Sequence, residues 1–339
     1  MIKKQFDRFN IFLKDSYKEI IFIILFTFVL YFKLPCYIDS TGGAIDVSSR
    51  IEVADKYKSK GSFNMAFVHE LPGRLIFVAL AQINPNWDVV WYKDVLLENE
   101  TKEDEFNRGR IMLNESFNNA IINAYELAGK SVKIKNEKLV VTFIVPESKN
   151  DLKTGDEIIS INGNTVHSFA EITEEISKYN FGDTLEIKIK RDDKEMTCHA
   201  TLYKNGDDER KYIGMGVAVQ TELETDPKIK LNYKDSETGP SGGLITALAI
   251  YDALTEEDLT HGLKIVGTGT MERDGSVDSI GGIKYKLAGA VKKKADIFLV
   301  PAGENYDEAV KIAKEKNYKI KIVPVKTLKD AVDYLQTLK

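Results

Sequence analysis

From Gly214 onward, short apolar runs alternate with helix-patterned segments, and no other feature of the chain narrows its fold as far. Strand-like runs fall at residues 215–219, 229–233, 263–267, 297–300 and 320–325. Helical spacing falls at 244–254, 285–293, 306–316 and 328–338. Strands alternating with helices are the pattern of a sheet whose chain returns across it through helices. The pattern therefore predicts an α+β or α/β domain of about 125 residues.

Residues 131–202 read differently, as a β-rich module. KLVVTFIV at 138–145 is a strong strand. Gly155-Asp156-Glu157-Ile158-Ile159-Ser160-Ile161-Asn162-Gly163 sets isoleucines before a tight Asn-Gly turn. A short helix follows at 169–179. Leu185, Ile187 and Ile189 then alternate with charged residues, and an Asp192-Asp193 turn sends the chain back through 196–202. One reading is an unrelated half-buried sheet with a helix. The other rests on the G-D-x-I-x-x-I-N-G motif followed by helix and hairpin, which resembles a PDZ domain. That resemblance implies capture of a peptide terminus by strand addition. The expected carboxylate-binding loop is not evident in 145–154.

At the other end, Ile20 to Phe32 (IIFIILFTFVLYF) holds no charge. Thirteen residues cover only about 20 Å as a helix, short of a bilayer core of roughly 30 Å. Extension to Ile38 gives nineteen residues with one lysine, Lys33, able to snorkel. Lys3, Lys4, Arg8, Lys14 and Lys18 outnumber Asp7, Asp15 and Glu19, which favours a cytoplasmic N-terminus. A cleaved signal peptide is the rival, but Lys33-Leu34-Pro35-Cys36-Tyr37 offers no small-x-small cleavage site. The expectation is a single transmembrane anchor over 20–38.

Between anchor and β module, 104–127 has apolar residues at helical spacing, and 64–68 and 75–81 have strand or short-helix character. No chemistry is legible there. His69-Glu70 is followed by Leu71-Pro72-Gly73 with no second histidine four residues on, so it reads as a loop rather than a zinc motif. Cys36 and Cys198 suggest neither a disulfide framework nor a metal site. A net charge of −5 without a basic face argues against nucleic acid.

Two glycine-rich turns carry the candidate chemistry. Gly239-Pro240-Ser241-Gly242-Gly243 opens the apolar helix at 244. Ser241 there is either a helix N-cap or an outward-facing hydroxyl beside free N–H groups that can hold an oxyanion. Gly281-Gly282 opens a helix bearing Lys284 and Lys286, which are either surface lysines or include a base kept neutral by burial. No spacing of the four histidines suggests a triad or a metal set.

The G-P-S-x-G turn, Thr268-Gly269, Ser279-Ile280-Gly281-Gly282 and Lys286 together resemble the proteolytic domain of Lon-type peptidases, over roughly 214–339. The resemblance implies Ser241 as nucleophile, Lys286 rather than Lys284 as base, and Thr268 as the residue that orients the amine. It implies that Gly239, Pro240, Gly242 and Gly243 line the oxyanion and substrate backbone, with no metal. Gly242 stands where the family usually has alanine. Thr238 stands where many members have aspartate, with Asp235 nearby but displaced.

With the anchor and the PDZ-like module, the chain resembles the membrane-anchored, PDZ-containing Lon-like proteases of Gram-positive bacteria. That implies a multidomain α+β protein. Its parts are a cytoplasmic tail (1–19), an anchor (20–38), an extracytoplasmic α/β region packing on the protease domain (39–129), a PDZ-like domain (130–204) and a Lon-type proteolytic domain (205–339). It implies cleavage of peptides or proteins at the outer face of the membrane. The PDZ-like module would recruit substrate or gate the site. No G-x-x-x-x-G-K-[ST] loop is present, so no ATP or other cofactor is expected. A monomer and a homo-oligomer both remain open. The alternative functions are a non-catalytic membrane-anchored peptide-binding scaffold and a cytoplasmic ATP-fuelled protease subunit.

Overall fold

The computed structural model describes residues 12, 14–206 and 208–338. Its helices are α1 (Tyr17–Tyr31), α2 (Leu75–Ala81), α3 (Tyr92–Val95), α4 (Lys102–Leu127), α5 (Phe169–Ser177), α6 (Gly243–Leu254), α7 (Ile283–Lys292), α8 (Glu304–Glu315) and α9 (Leu328–Gln336). The chain forms two compact units, one of the described residues up to Thr41 with His69–Val95, the other of Gly42–Val68 with Leu96–Lys339.

In the first unit the apolar run is helical only as far as Tyr31. Phe32 is its C-cap in an extended conformation. Lys33–Asp46 is a strand, and its residues Cys36 to Ser40 pair antiparallel with Trp91 to Trp87. The predicted helix over 20–38 is therefore wrong in its last turns. Pro35 offers no N–H to a helix and disfavours helical geometry at Leu34, and the partner strand lies fifty residues away where local sequence cannot announce it. Among the described residues no helix is long and apolar enough to cross a membrane. Lys3, Lys4 and Arg8, from the predicted tail 1–19, lie outside the described residues. His69 and Glu70 lie in a strand, Ser62–Arg74, and not in a loop.

The core of the second unit is a parallel sheet. Lys264–Gly267 is flanked by Ile297–Pro301 on one side and by the first residues of Ser62–Arg74 on the other, and Lys321–Val325 lies beyond Ile297–Pro301. Because successive side chains of a strand point to opposite faces, each strand feeds two cores. Phe63, Ile265 and Leu299 meet α6, and Ala66, Val266, Phe298 and Val300 meet Ile283, Leu287 and Ala290 of α7. Nearly every residue of α6 is buried, as its all-round apolar sequence requires. α4 packs against α6 through Ala120, Ile121, Ala124 and Tyr125. It begins with a capping box in which Thr101 and Asp104 each bond the other's backbone N–H.

This sheet corrects the expected domain plan. Residues 39–129 do not make a separate region, because 62–65 is a strand of the C-terminal domain's own sheet and α4 belongs to its core.

The PDZ-like module is inserted between α4 and Met215–Asp226. Its sheet runs Met215–Asp226, Ser131–Ile144, Glu157–Ile161, Thr184–Arg191, Lys194–Thr201. Leu139, Ile158, Ile161, Ile172, Leu185 and Ile187 form its core. Asn162 and Gly163 have φ of 46° and 82°, and Asp192 and Asp193 of 49° and 60°, as two-residue hairpin turns demand. The motif's Asp156 is fixed inside by Arg191, whose Nε and Nη2 donate to it at 2.7 Å each.

Candidate active site

The carboxyl ends of the parallel strands bring the two glycine turns together. α6 lies on one face of the sheet and α7 on the other, and both begin at that edge. Such crevices are the usual ligand sites of open α/β sheets. Although Ser241 and Lys286 are 45 residues apart, Lys286 Nζ donates to Ser241 Oγ at 2.9 Å.

The Ser241 turn is held from beneath. Gly242 is the N-cap of α6, and no side chain caps the helix, so Ser241 is not its cap. The Ser241 carbonyl accepts from Gly269 N–H at 2.8 Å and from Thr268 Oγ1 at 3.1 Å. Thr268, fully buried, thus grips the serine's own peptide. Pro240 O accepts from Ser116 Oγ at 2.9 Å, and that same Oγ accepts from Met271 N–H at 2.9 Å. Gly243 leaves room for this relay, since a Cβ there would lie 2.2 Å from Ser116 Oγ. A Cβ on Gly242 would lie 2.2 Å from Met65 Sδ, so the alanine usual at this position would have to displace Met65. Gly239 has a φ of 85°, which a side chain would strain, and its N–H bonds Gly109 O of α4.

Those bonds sort the candidate oxyanion donors. Gly239 N–H is occupied, Gly243 N–H bonds Pro240 O at 3.2 Å, and Pro240 has no N–H. Among the described residues the backbone N–H groups of Ser241 and Gly242 have no hydrogen-bond partner. They are thus the two N–H groups of this turn left free to donate to a further hydrogen-bond partner.

Lys286 is 5% exposed and no carboxylate among the described residues pairs with it. Burial alone pushes its ammonium down from 10.5 to about 8, because the charged form loses its water. α7 owes its entry angle to Gly282, which is left-handed at φ 75° and whose Cβ would meet Val68 at 2.7 Å. Asn305 fixes the preceding loop by accepting from Ile280 N–H and donating to Ile280 O, both at 2.9 Å. Lys284 instead turns toward the Tyr285 ring, 5.4 Å away.

The loop before Ser241 is held by residues in which sequence alone shows no chemistry. Arg50 grips Glu237 with two bonds of 2.6 and 2.8 Å, and Arg110 donates to the Lys234 and Glu237 carbonyls at 3.1 Å. An acid does organise the loop, but it is Glu237. Thr238 packs against Gly109, and Asp235 is exposed. Two polar residues within the otherwise apolar buried stripe of α4, Ser116 and Asn119, were the available signal.

The PDZ-like module has a groove of about 310 Å³ between α5 and the start of Met215–Asp226, lined by Phe169, Ile172, Ile176, Tyr212, Ile213 and Met215. Met215–Asp226 is an outer strand of its sheet. The groove is lined by α5 and 212–217 and reaches the start of the 145–154 segment at Val145.

Residues 113–202 match the PDZ domain family, and residues 234–337 match the Lon protease (S16) C-terminal proteolytic domain. The chain is 34% identical over 97 residues to a Lon protease of Mesomycoplasma hyopneumoniae, covering 29% of this chain and 11% of that protein. It is 37% identical over 95 residues to a Lon protease of Campylobacter concisus, covering 28% and 11%. The match thus spans about a ninth of those relatives. The PDZ domain of the SdrC-like protein of Listeria monocytogenes is 25% identical over 25% of this chain and 92% of its own, with a TM-score of 0.23. Both matched segments and their order fit a PDZ-containing Lon-type protease.

Proposed function

We propose that the chain is an ATP-independent serine endopeptidase in which Ser241 and Lys286 form the catalytic dyad. One observation carries the reading. A lysine buried without a carboxylate partner among the described residues donates a hydrogen bond to a serine hydroxyl beside two unpaired N–H groups. Burying an unpaired cation destabilises a fold, so an inert scaffold gains nothing from it.

Neutral Lys286 takes the proton of Ser241 Oγ, and the oxygen attacks the peptide carbonyl carbon. The oxyanion rests on the N–H groups of Ser241 and Gly242. The Lys286 ammonium returns its proton to the leaving amine as the C–N bond breaks. Water then loses a proton to Lys286 and attacks the ester, and Ser241 leaves with that proton restored. Thr268, Gly269 and Ser116 act as positioning groups.

In the same reading the PDZ-like groove takes an extended peptide along the edge of Met215–Asp226 and recruits substrate. Helix α1 holds the chain at a bilayer, with the peptidase on the outer side. Support for the bilayer is the composition of α1 and its exposed side chains; support for the orientation is the basic excess before it.

The test uses a fluorophosphonate probe on the full chain. Wild type and Lys284→Ala should label, and Ser241→Ala and Lys286→Ala should not, with all four folded by circular dichroism. Labelling of Ser241→Ala at the wild-type rate, or full labelling of Lys286→Ala, would refute the dyad.

A further inference from the structure

Both tryptophans of the chain, Trp87 and Trp91, lie in the first unit beside two apolar helices. From Ile20 onward α1 is apolar on every side, with Phe22 67% and Ile24 60% exposed and none of its residues buried. α2 (LIFVALA) also buries no residue, and Ile83 just past it is 79% exposed. The two helices are tied together, since Leu75 N–H donates to Phe32 O at 3.0 Å. Around this junction stand rings and cations. Phe77 meets Trp87 edge-on at 6.2 Å, Tyr37 and Tyr92 lie 4.7 Å apart, and the Arg74 guanidinium sits 5.7 Å over the Tyr31 ring. Lys33 follows two residues after α1 ends.

At fifteen residues α1 reaches roughly 22 Å, less than a hydrocarbon core of roughly 30 Å. A protein partner would cover one face of such a helix; an apolar medium covers all of them. Aromatic rings and cationic side chains gathered at one end of an apolar helix have the composition of a membrane–water boundary, where the cations meet lipid phosphates.

We propose that α2 and Ile83 form a second lipid contact, seated at the headgroup–acyl boundary beside the end of α1, with Trp87 and Trp91 in the interfacial layer. This rests on the membrane reading of α1. The bilayer contact is then a two-segment platform rather than one helix.

The two tryptophans make the contact readable in the intact chain. Purified full chain is mixed with phosphatidylcholine–phosphatidylglycerol vesicles whose acyl chains carry bromine either near the glycerol or at mid-chain. The chain should float with the vesicles, its tryptophan emission should shift to shorter wavelength, and the shallow bromines should quench it more than the deep ones. Ile83→Lys alters an exposed side chain and should lose most of the shift and quenching while Ser241 still labels. Trp87→Phe and Trp91→Phe, made separately, assign the signal to each ring. A chain that floats with unchanged, unquenched emission overturns the second contact and leaves the α1 reading standing. Quenching unaltered in Ile83→Lys also overturns it. A chain that does not float overturns both.

Discussion

The buried state of Lys286 makes a quantitative demand on pH. With the ammonium at about 8 in the fold, about one molecule in eleven holds a neutral amine at pH 7, against roughly one in three thousand for a lysine at 10.5. The second-order rate of fluorophosphonate labelling should therefore rise about tenfold per pH unit below pH 8 and level off above about pH 9. The same shift is linked to stability. Between 8 and 10.5 the unfolded lysine binds a proton that the folded one does not, so stability rises with pH across that window. The cost of burying the charge is fully present below 8 and absent above 10.5. A drop of about 2.5 units corresponds to roughly 3 kcal/mol. Lys286→Met, similar in volume and uncharged, should thus abolish labelling yet resist denaturant better at pH 7, by up to about 3 kcal/mol. Part of that gain should disappear as pH approaches 10.5. Urea unfolding at several pH values, beside stopped-flow labelling, reads both halves. A rate flat from pH 6 to 9, or a midpoint near 10.5, would refute the buried base. A Lys286→Met protein less stable than wild type at pH 7 would refute the stated burial cost.

Three further outcomes follow from the scaffold. Ser116→Ala leaves Met271 N–H and Pro240 O without their shared partner, and should lower unfolding stability by about 1–3 kcal/mol and slow labelling. Gly242→Ala drives a Cβ against Met65 and should displace an oxyanion N–H, slowing labelling on the order of tenfold; Gly242→Ala with Met65→Ala should recover most of it, measured by the same kinetics. Arg50→Ala frees the Glu237 loop, and thermal unfolding should show about 1–2 kcal/mol lost, with slower labelling at unchanged pH midpoint.

Local patterns were enough to read many individual elements, but not that 215–219, expected in the C-terminal domain, joins the module's sheet or that 229–231 pairs with 51–53. The Asn162-Gly163 and Asp192-Asp193 turns, the helix after Ser168 and the apolar α6 all form where their residues predict. The resemblance to Lon-type peptidases pointed to Ser241 and Lys286, which meet at 2.9 Å. Pairings that depend on distant chain were illegible. Nothing near 62–65 says that this strand borders Lys264–Gly267, two hundred residues on, and nothing near Lys33 says that Trp87–Trp91 will capture the residues after α1. The PDZ-like groove was illegible for the same reason, since the edge strand that lines it arrives only after the rest of the module has been traversed.

The same non-local sheet explains why residues on opposite faces can share one proton. α6 packs on one face and α7 on the other, so the distance between Ser241 and Lys286 is set by what lies at the sheet edge between them. Running between the two turns is the strand from Ser62, an inner strand of the sheet, whose Met65 abuts Gly242 and whose Val68 abuts Gly282. One strand therefore touches both glycine turns, at side chains three residues apart. A shift of this strand would move Ser241 and Lys286 relative to each other without altering either residue. The segment that sequence reading placed outside the C-terminal domain is in this way the spacer that fixes the proposed dyad's geometry.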